Sequence, residues 1–244
     1  MNKYCVVIQA RSSSQRLKNK VIKSIDGIPM IVRQYLRLKK NLNLPIIVAT
    51  SNNKADDNLT NILLKYDIQF FRGSLNNVIN RYVKCSEIFK IENIIRVGGD
   101  DPLIDPNCIK KIINSHRKKY ADFMYASHKK GWPYGCAAEL INTKTLKKIH
   151  KNKLTKTEKE HTIPYFFSHK KKFIIKKINS IKNIVNYNLH LSVDYLEDFN
   201  LIKKIAKHFS KIKKDSSMLE INKLYKKNKN FFKINKGLHQ GFDK

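Results

Sequence analysis

The sequence predicts an α/β protein with a Rossmann-like, doubly wound and mostly parallel sheet. Three observations carry that expectation. Over the first two thirds of the chain, short β-branched runs alternate with longer amphipathic segments, the pattern left by βαβ units. Several of the helical segments have a defined start: Pro29 near a first turn, Ser74 as an N-cap, and Asp105 as an N-cap followed by Pro106 at the first helical position. Composition is also that of an ordinary globular chain, with 41% hydrophobic residues, 8 Gly and 6 Pro in 244 residues, which excludes collagen-like repeats and disorder.

In chain order, the predicted strands are Tyr4–Gln9, Pro45–Thr50, Gln69–Phe71, Asn93–Val97 and Asp122–Ala126. The predicted helices between them are Met30–Lys40, Lys54–Tyr66, Leu75–Phe89 and Pro106–Lys118. The alternation breaks near residue 127. Beyond that point come a Gly131, Trp132, Pro133, Gly135 segment, a strand near Ala137–Ile141 and a helix from about Thr157 to His169. Strands at Lys172–Ile178 and Leu189–Val193 and a helix from Tyr195 to about Phe209 complete the series. The expectation is a single domain over 1–210, with 127–190 an insertion that serves an acceptor pocket or a dimer contact. Residues 211–244 form a Lys-rich extension in which only Met218–Tyr225 reads as helical.

The formal net charge of +31 by itself points to a polyanionic partner such as nucleic acid. Of the 50 cations, however, 42 are Lys spread over loops, helix faces and tail, and no RNP, zinc-finger or basic-zipper pattern accompanies them. The eight Arg all fall between Arg11 and Arg117, so a fork of donors for phosphate is to be sought there. Cys5, Cys85, Cys108 and Cys136 are too scattered for a disulfide framework or a zinc site. The short apolar stretch Tyr4–Ile8 is too brief for a signal sequence, and no run approaches the ~18–20 apolar residues of a membrane span. A soluble, cytoplasmic protein is expected.

The strongest chemical signal lies after the first strand, in Gln9-Ala10-Arg11-Ser12-Ser13-Ser14-Gln15-Arg16-Leu17-Lys18-Asn19-Lys20. Backbone N–H groups, hydroxyls and the cations Arg11, Arg16 and Lys20 are what a nucleoside triphosphate requires, although the P-loop spacing is absent. The fourth strand runs into Gly98-Gly99-Asp100-Asp101, where two glycines admit a ligand to the backbone and a carboxylate can hold Mg²⁺. Asp194, between an apolar strand and a helix, is a second candidate ligand; the competing reading is an N-cap. Asp105 reads only as a helix cap.

Taken together, Ile8-Gln9-Ala10-Arg11, Ser14, Arg16-Leu17, Lys20, Ala49-Thr50-Ser51, Phe71-Arg72-Gly73-Ser74, Arg81-Tyr82, Gly99-Asp100, Pro102-Leu103-Ile104-Asp105, Glu160-His161, Pro164-Tyr165 and Val193-Asp194 resemble the SpsF-type cytidylyltransferases. These are relatives of the CMP-acylneuraminate and CMP-Kdo synthetases, with a sheet of the nucleotide-diphospho-sugar transferase type. The match runs in order from about residue 3 to about residue 205.

The resemblance implies that Gln9, Ala10, Arg11, Ser14, Arg16 and Lys20 hold the CTP phosphates and that Thr50, Ser51, Arg72 and Gly99 border the nucleotide. It further implies that Asp100 and Asp194 position Mg²⁺, that Lys20, Arg16 and Asp100 are the catalytic groups, and that the protein is a homodimer. Glu139, Glu160, His161 and Tyr165 would face a sugar or sugar-acid acceptor. Ser13 replaces a usual Gly, and Lys18-Asn19 replaces Pro-Gly; Tyr134 and Ala137 stand where Arg and Asp are more common. The implied reaction is transfer of CMP from CTP to a hydroxyl, with release of pyrophosphate, in surface polysaccharide or glycan biosynthesis. A glycosyltransferase using Asp100-Asp101 for a nucleotide-sugar metal site and a basic nucleic-acid-binding protein are the two other readings.

Overall fold

The computed structural model describes residues 2–14, 16–126, 132–179 and 189–239. The first strand, β1 (Cys5–Gln9), is followed by a 3₁₀ turn at Lys20–Ile22 and a small hairpin of β2 (Ser24–Ile25) and β3 (Ile28–Pro29). The hairpin turns through Asp26 and Gly27, both at positive φ, as its two-residue connection requires. Then come α1 (Met30–Asn41), β4 (Ile46–Ser51), α2 (Asp57–Lys65), β5 (Phe70–Gly73), α3 (Val78–Ile88), β6 (Asn93–Gly98), α4 (Pro106–Lys118) and β7 (Phe123–Ala126), in the order the sequence predicts.

All but the hairpin strands join one seven-stranded sheet, in the order β5-β4-β1-β6, then β8 (Glu139–Asn142), β7 and β9 (Ile175–Ile178). The pairs β5-β4, β4-β1, β1-β6 and β7-β9 are parallel; β8 alone runs against both its neighbours. β1 shows why the centre holds. Every residue from Cys5 to Ile8 is fully buried, and alternation sends Val6 and Ile8 into one apolar cluster and Cys5 and Val7 into the other. All four cysteines are buried thiols.

The structure departs from the predicted elements at points with local causes. The Lys54–Tyr66 helix begins as a 3₁₀ turn at Lys54–Asp56. The Leu75–Phe89 helix starts only at Val78, capped by Asn77 Oδ1 on the Asn80 N–H, while the Ser74 hydroxyl accepts from the Asn77 N–H. The Thr157–His169 helix is two, α6 (Lys156–Glu160) and α7 (Thr162–Ser168), broken at an extended His161. Pro164 explains the break, because its ring would collide with the carbonyl of Glu160 in a continuous helix. The Leu189–Val193 segment makes only an isolated bridge from His190 to Tyr134. A helix that the sequence pattern does not predict, α5 (Thr143–His150), is capped by Asn142 on the Lys144 and Thr145 N–H groups. Gly131 lies outside the described residues.

The last elements are α8 (Leu196–Lys211), α9 (Met218–Lys227) and a 3₁₀ segment, Lys229–Asn235. Met218, Ile221 and Phe232 from the two later pieces are buried in the same core as β1. Among the described residues no helix is long and apolar enough to cross a membrane.

Candidate active site

From β1 the chain proceeds to β4 and β5 on one side and later crosses to β6 on the other, so β1 and β6 flank the switch point where such sheets bind ligands. An open cleft of ≈ 1210 Å³ lies there, at the carboxyl ends of both strands. Its floor is made by loops that touch. The Gly99 N–H donates to Gln9 O at 2.8 Å, and a Cβ on Gly99 would stand 2.7 Å from the Ala10 Cβ.

The serine-rich loop is held by a buried carboxylate. Asp56 Oδ1 accepts the Ser12 N–H at 2.6 Å, and Oδ2 accepts the Ser51 N–H at 3.2 Å and the Ser51 hydroxyl. Ser12 O in turn accepts the N–H groups of Ser14 and Asn19, which curls the loop on itself. Asn19 has φ 57 and ψ 24, the left-handed conformation a glycine would adopt, and asparagine tolerates it better than most residues. The Lys18-Asn19 pair therefore preserves the turn. Ser13, in contrast, is not among the residues with positive φ.

At the loop's end, Lys20 is only 8% exposed and gathers three oxygens around its ammonium: Val193 O at 2.6 Å, Asp194 Oδ1 at 3.0 Å and Asp100 Oδ2 at 3.1 Å. Burial opposes its charge, but Asp100 and Asp194 outweigh burial and hold Lys20 above its ordinary value. Arg16 donates to the same Asp194 oxygen at 2.9 Å and lies over the Tyr195 ring. The Val193 N–H donates to Asp100 O at 2.8 Å, and the Leu191 N–H to Tyr134 O at 2.9 Å, so the segment before Asp194 is laced into the cleft wall. Gly135, at φ +87, lies so close to Leu191 and Ser192 that a Cβ there would run into their backbone. Burial and the neighbouring Asp100 push the Asp101 carboxyl well above the usual range, which favours its neutral form. Burial, with Asp101 and Asp100, pushes Tyr134 up to about 12.

Of the residues predicted for the site, Gln9, Ala10, Arg11, Ser14, Arg16, Lys20, Asp100, Asp194, Glu139, Glu160 and His161 line this cleft. Others do not. Thr50 and Ser51 are fully buried, and Ser51 is engaged by Asp56. Arg72 borders a separate hollow, where its guanidinium donates to Ser51 O, Asn53 O and Asp57. Gly99 is taken up by loop packing, while Gly98 lines the cleft. Tyr165 is buried behind it, with its ring on His169 and its hydroxyl accepting from Asn152. Two of the acceptor-side carboxylates are ion-paired: Glu160 with Arg11 at 3.2 Å and Glu139 with Arg96 at 2.9 Å. Sequence reasoning misses Arg96, Ser192 and the anchoring Asp56, and names Asp101 only in the glycosyltransferase reading; a carboxylate in the first turn after a strand is the available signal for Asp56.

A metal ion can be tested against the donor set. Three oxygens already converge on the single positive charge of Lys20, two of them from carboxylates on separate segments. All are hard donors of the type Mg²⁺ prefers, and one or two carboxylates are its usual protein complement. Asp100 and Asp194 fit that role.

Cations set against paired carboxylates at a sheet's switch point can hold a polyphosphate and its counter-ions, which is the chemistry of the nucleotidyltransferase class. Comparison with known sequences gives the family. Residues 5–238 match the model of the family described as Cytidylyltransferase, and the chain belongs to that family; it is a CTP-dependent nucleotidyltransferase. Over 84% of its length, and 87% of the relative's, it is 28% identical to the spore coat polysaccharide biosynthesis protein SpsF of Bacillus subtilis. An uncharacterised protein of Methanocaldococcus jannaschii is 29% identical over 96% of this chain and 95% of its own. Among solved structures, a cytidylyltransferase from Leptospira borgpetersenii superposes with a TM-score of 0.86 at 24% identity, covering 95% of this chain and 97% of that one.

Proposed function

We propose that the protein transfers CMP from CTP to a hydroxyl of a sugar or sugar acid, with release of pyrophosphate, in a Mg²⁺-dependent step of surface polysaccharide or glycan synthesis. The observation that carries this reading is Lys20, whose ammonium joins Asp100 to Asp194 while Arg16 reaches the same Asp194 oxygen. The polysaccharide context is supported by similarity to the SpsF protein. A homodimer located in the cytoplasm is part of the proposal.

In this mechanism the acceptor hydroxyl oxygen bonds to the α-phosphorus and gives up its proton to water as the bond to the β-phosphate bridging oxygen breaks, so pyrophosphate leaves in line with the attack. Positioning and charge neutralisation supply the catalysis, and no protein nucleophile is needed. Arg11, Arg16 and Lys20 bind the phosphates from the cleft wall, while the Ser12, Ser14 and Asn19 N–H groups hold the loop's own curl. Asp100 and Asp194 would hold Mg²⁺, which supplies further neutralisation of phosphate charge. Glu139, Glu160 and His161 line the same cleft, and the acceptor would sit against them.

The test is thermal stabilisation by each of the four nucleoside triphosphates with Mg²⁺, since a ligand that binds the native state raises apparent stability by mass action. CTP is expected to give the largest shift, and Asp100→Asn, still folded by circular dichroism, to lose most of it. Equal small shifts for all four, or an unchanged response in the folded variant, would overturn the proposal.

A further inference from the structure

The 3₁₀ segment Lys229–Asn235 does not line the cleft, yet it grips the loop that carries Asp194. Asn235 is 7% exposed, and its side-chain amide donates to His190 O at 2.9 Å and to Asp198 Oδ1 at 2.7 Å. His190 lies four residues before Asp194 and Asp198 four after, so one amide spans the whole loop. Asp198, 1% exposed, turns its other oxygen to the Asp194 N–H at 3.0 Å and the Tyr195 N–H at 2.9 Å. His239 Nε2 adds a contact to Oδ1 at 2.9 Å. Burial alone would raise the Asp198 carboxyl, but these donors outweigh it and hold it below the usual carboxylate range.

A second metal site is the competing explanation for this cluster, because ligand atoms of His190, Asp194 and His239 lie within 4.8 Å of one another. The ring geometry argues against it. The two imidazoles stack at 3.3 Å between centroids and 10° between planes, so their in-plane lone pairs run side by side and do not converge. His190 is instead packed between His239 and Tyr134, whose ring is 4.6 Å away in the cleft wall.

We infer that Asn235 is a positioning residue of the active site, which holds Asp194 at the distance Lys20 and a metal-bound triphosphate require by tying both ends of its loop to the C-terminal segment. The inference rests on the proposed role of Asp194. Residues that orient a metal ligand commonly change metal affinity 10- to 100-fold when removed.

The test compares Asn235→Leu, which keeps the branched four-atom side chain but removes both donors, with Phe232→Leu, which loosens the same segment's packing and touches neither hydrogen bond. Hydrogen exchange followed by mass spectrometry reads the loop without any ligand. In Asn235→Leu the peptide covering 189–199 is expected to exchange at least about tenfold faster, with Phe232→Leu leaving it near wild type. In the presence of CTP, the apparent Kd for Mn²⁺ measured by electron paramagnetic resonance is expected to rise about tenfold in Asn235→Leu. Asn235→Ser, which keeps one short donor, serves if the Leu variant does not fold and is expected to fall between.

Unchanged protection of 189–199, or equal loosening in both variants, would overturn the inference. So would a loosened loop with unaltered Mn²⁺ affinity when Asp194→Asn abolishes it. If the loop loosens and Asp194→Asn also leaves Mn²⁺ binding intact, positioning stands and the metal role of Asp194 falls.

Discussion

Glu139 shows how one side chain can face a cleft and still be committed elsewhere. It stands on β8 opposite Arg96 on β6, the cross-strand register that brings their charges to 2.9 Å. Burial works against the Arg96 charge, but Glu139 more than offsets it and holds the guanidinium above its ordinary value. The side chains are 24% and 16% exposed, so the pair is mostly withdrawn from water. Glu139→Ala should therefore lower stability by about 3 kcal/mol in urea unfolding, because it leaves a largely buried cation unpaired. Arg11, Arg16, Lys20, Asp100 and Asp194 were legible from the sequence as charged groups at strand ends. Thr50, Ser51 and Arg72 were not, since nothing in their order reveals that Asp56 would claim Ser51 or that Arg72 would turn toward Asp57.

At the level of elements, the parallel half of the sheet was readable because each strand is a continuous apolar run with a helix after it. In the far half the strands themselves were readable, at Asp122–Ala126, near Ala137–Ile141 and at Lys172–Ile178, but their order and direction were not. β8 joins the sheet antiparallel between β6 and β7, a placement that depends on tertiary pairing and leaves no local signature. Five-residue α6 illustrates the opposite case, in which local chemistry decides. Thr155 Oγ1 accepts the Glu158 N–H while Glu158 Oε2 accepts the Thr155 N–H, a reciprocal cap that fixes the helix whose last residue, Glu160, pairs with Arg11. Thr155→Ala should cost about 1 kcal/mol, read as a drop in Tm of about 2–4 °C for a chain of this size.

Across the whole molecule, one of the groups that tie stability to pH lies far from the cleft. His116 is buried, with Nδ1 3.0 Å from the Tyr4 hydroxyl and Nε2 3.3 Å from Ala121 O. The Tyr120 ring packs beside it, and Arg117 lies over Tyr4. Burial lowers its pKa below the ordinary 6.5, the Ala121 carbonyl opposes that, and Lys176 and Lys3 add to the lowering. The unfolded chain then binds the proton more readily than the folded one. The stabilising contribution is present above about pH 6.5 and lost as pH falls below it toward the folded value. A plot of Tm against pH should be flat near neutrality and fall below about 6.5, with a shallower fall in His116→Gln.

The clasp on Asp194 also has a consequence for biosynthesis. The cleft draws on five stretches, within residues 9–21, 96–101, 134–139, 160–163 and 192–194, and Asn235 closes the loop that bears its second carboxylate. A ribosome delivers these pieces in that order, with the basic loop first and the clasp after all the others. β1 and β4 can pair early, and β6 can complete the switch point, while the loop around Asp194 is still being made. The nascent chain thus acquires its basic loop long before the carboxylates that balance it are set. On the proposed chemistry, a chain interrupted between Asp194 and Asn235 would carry the charged groups of the site with Asp194 loosely held, so full metal affinity waits on the C-terminal segment.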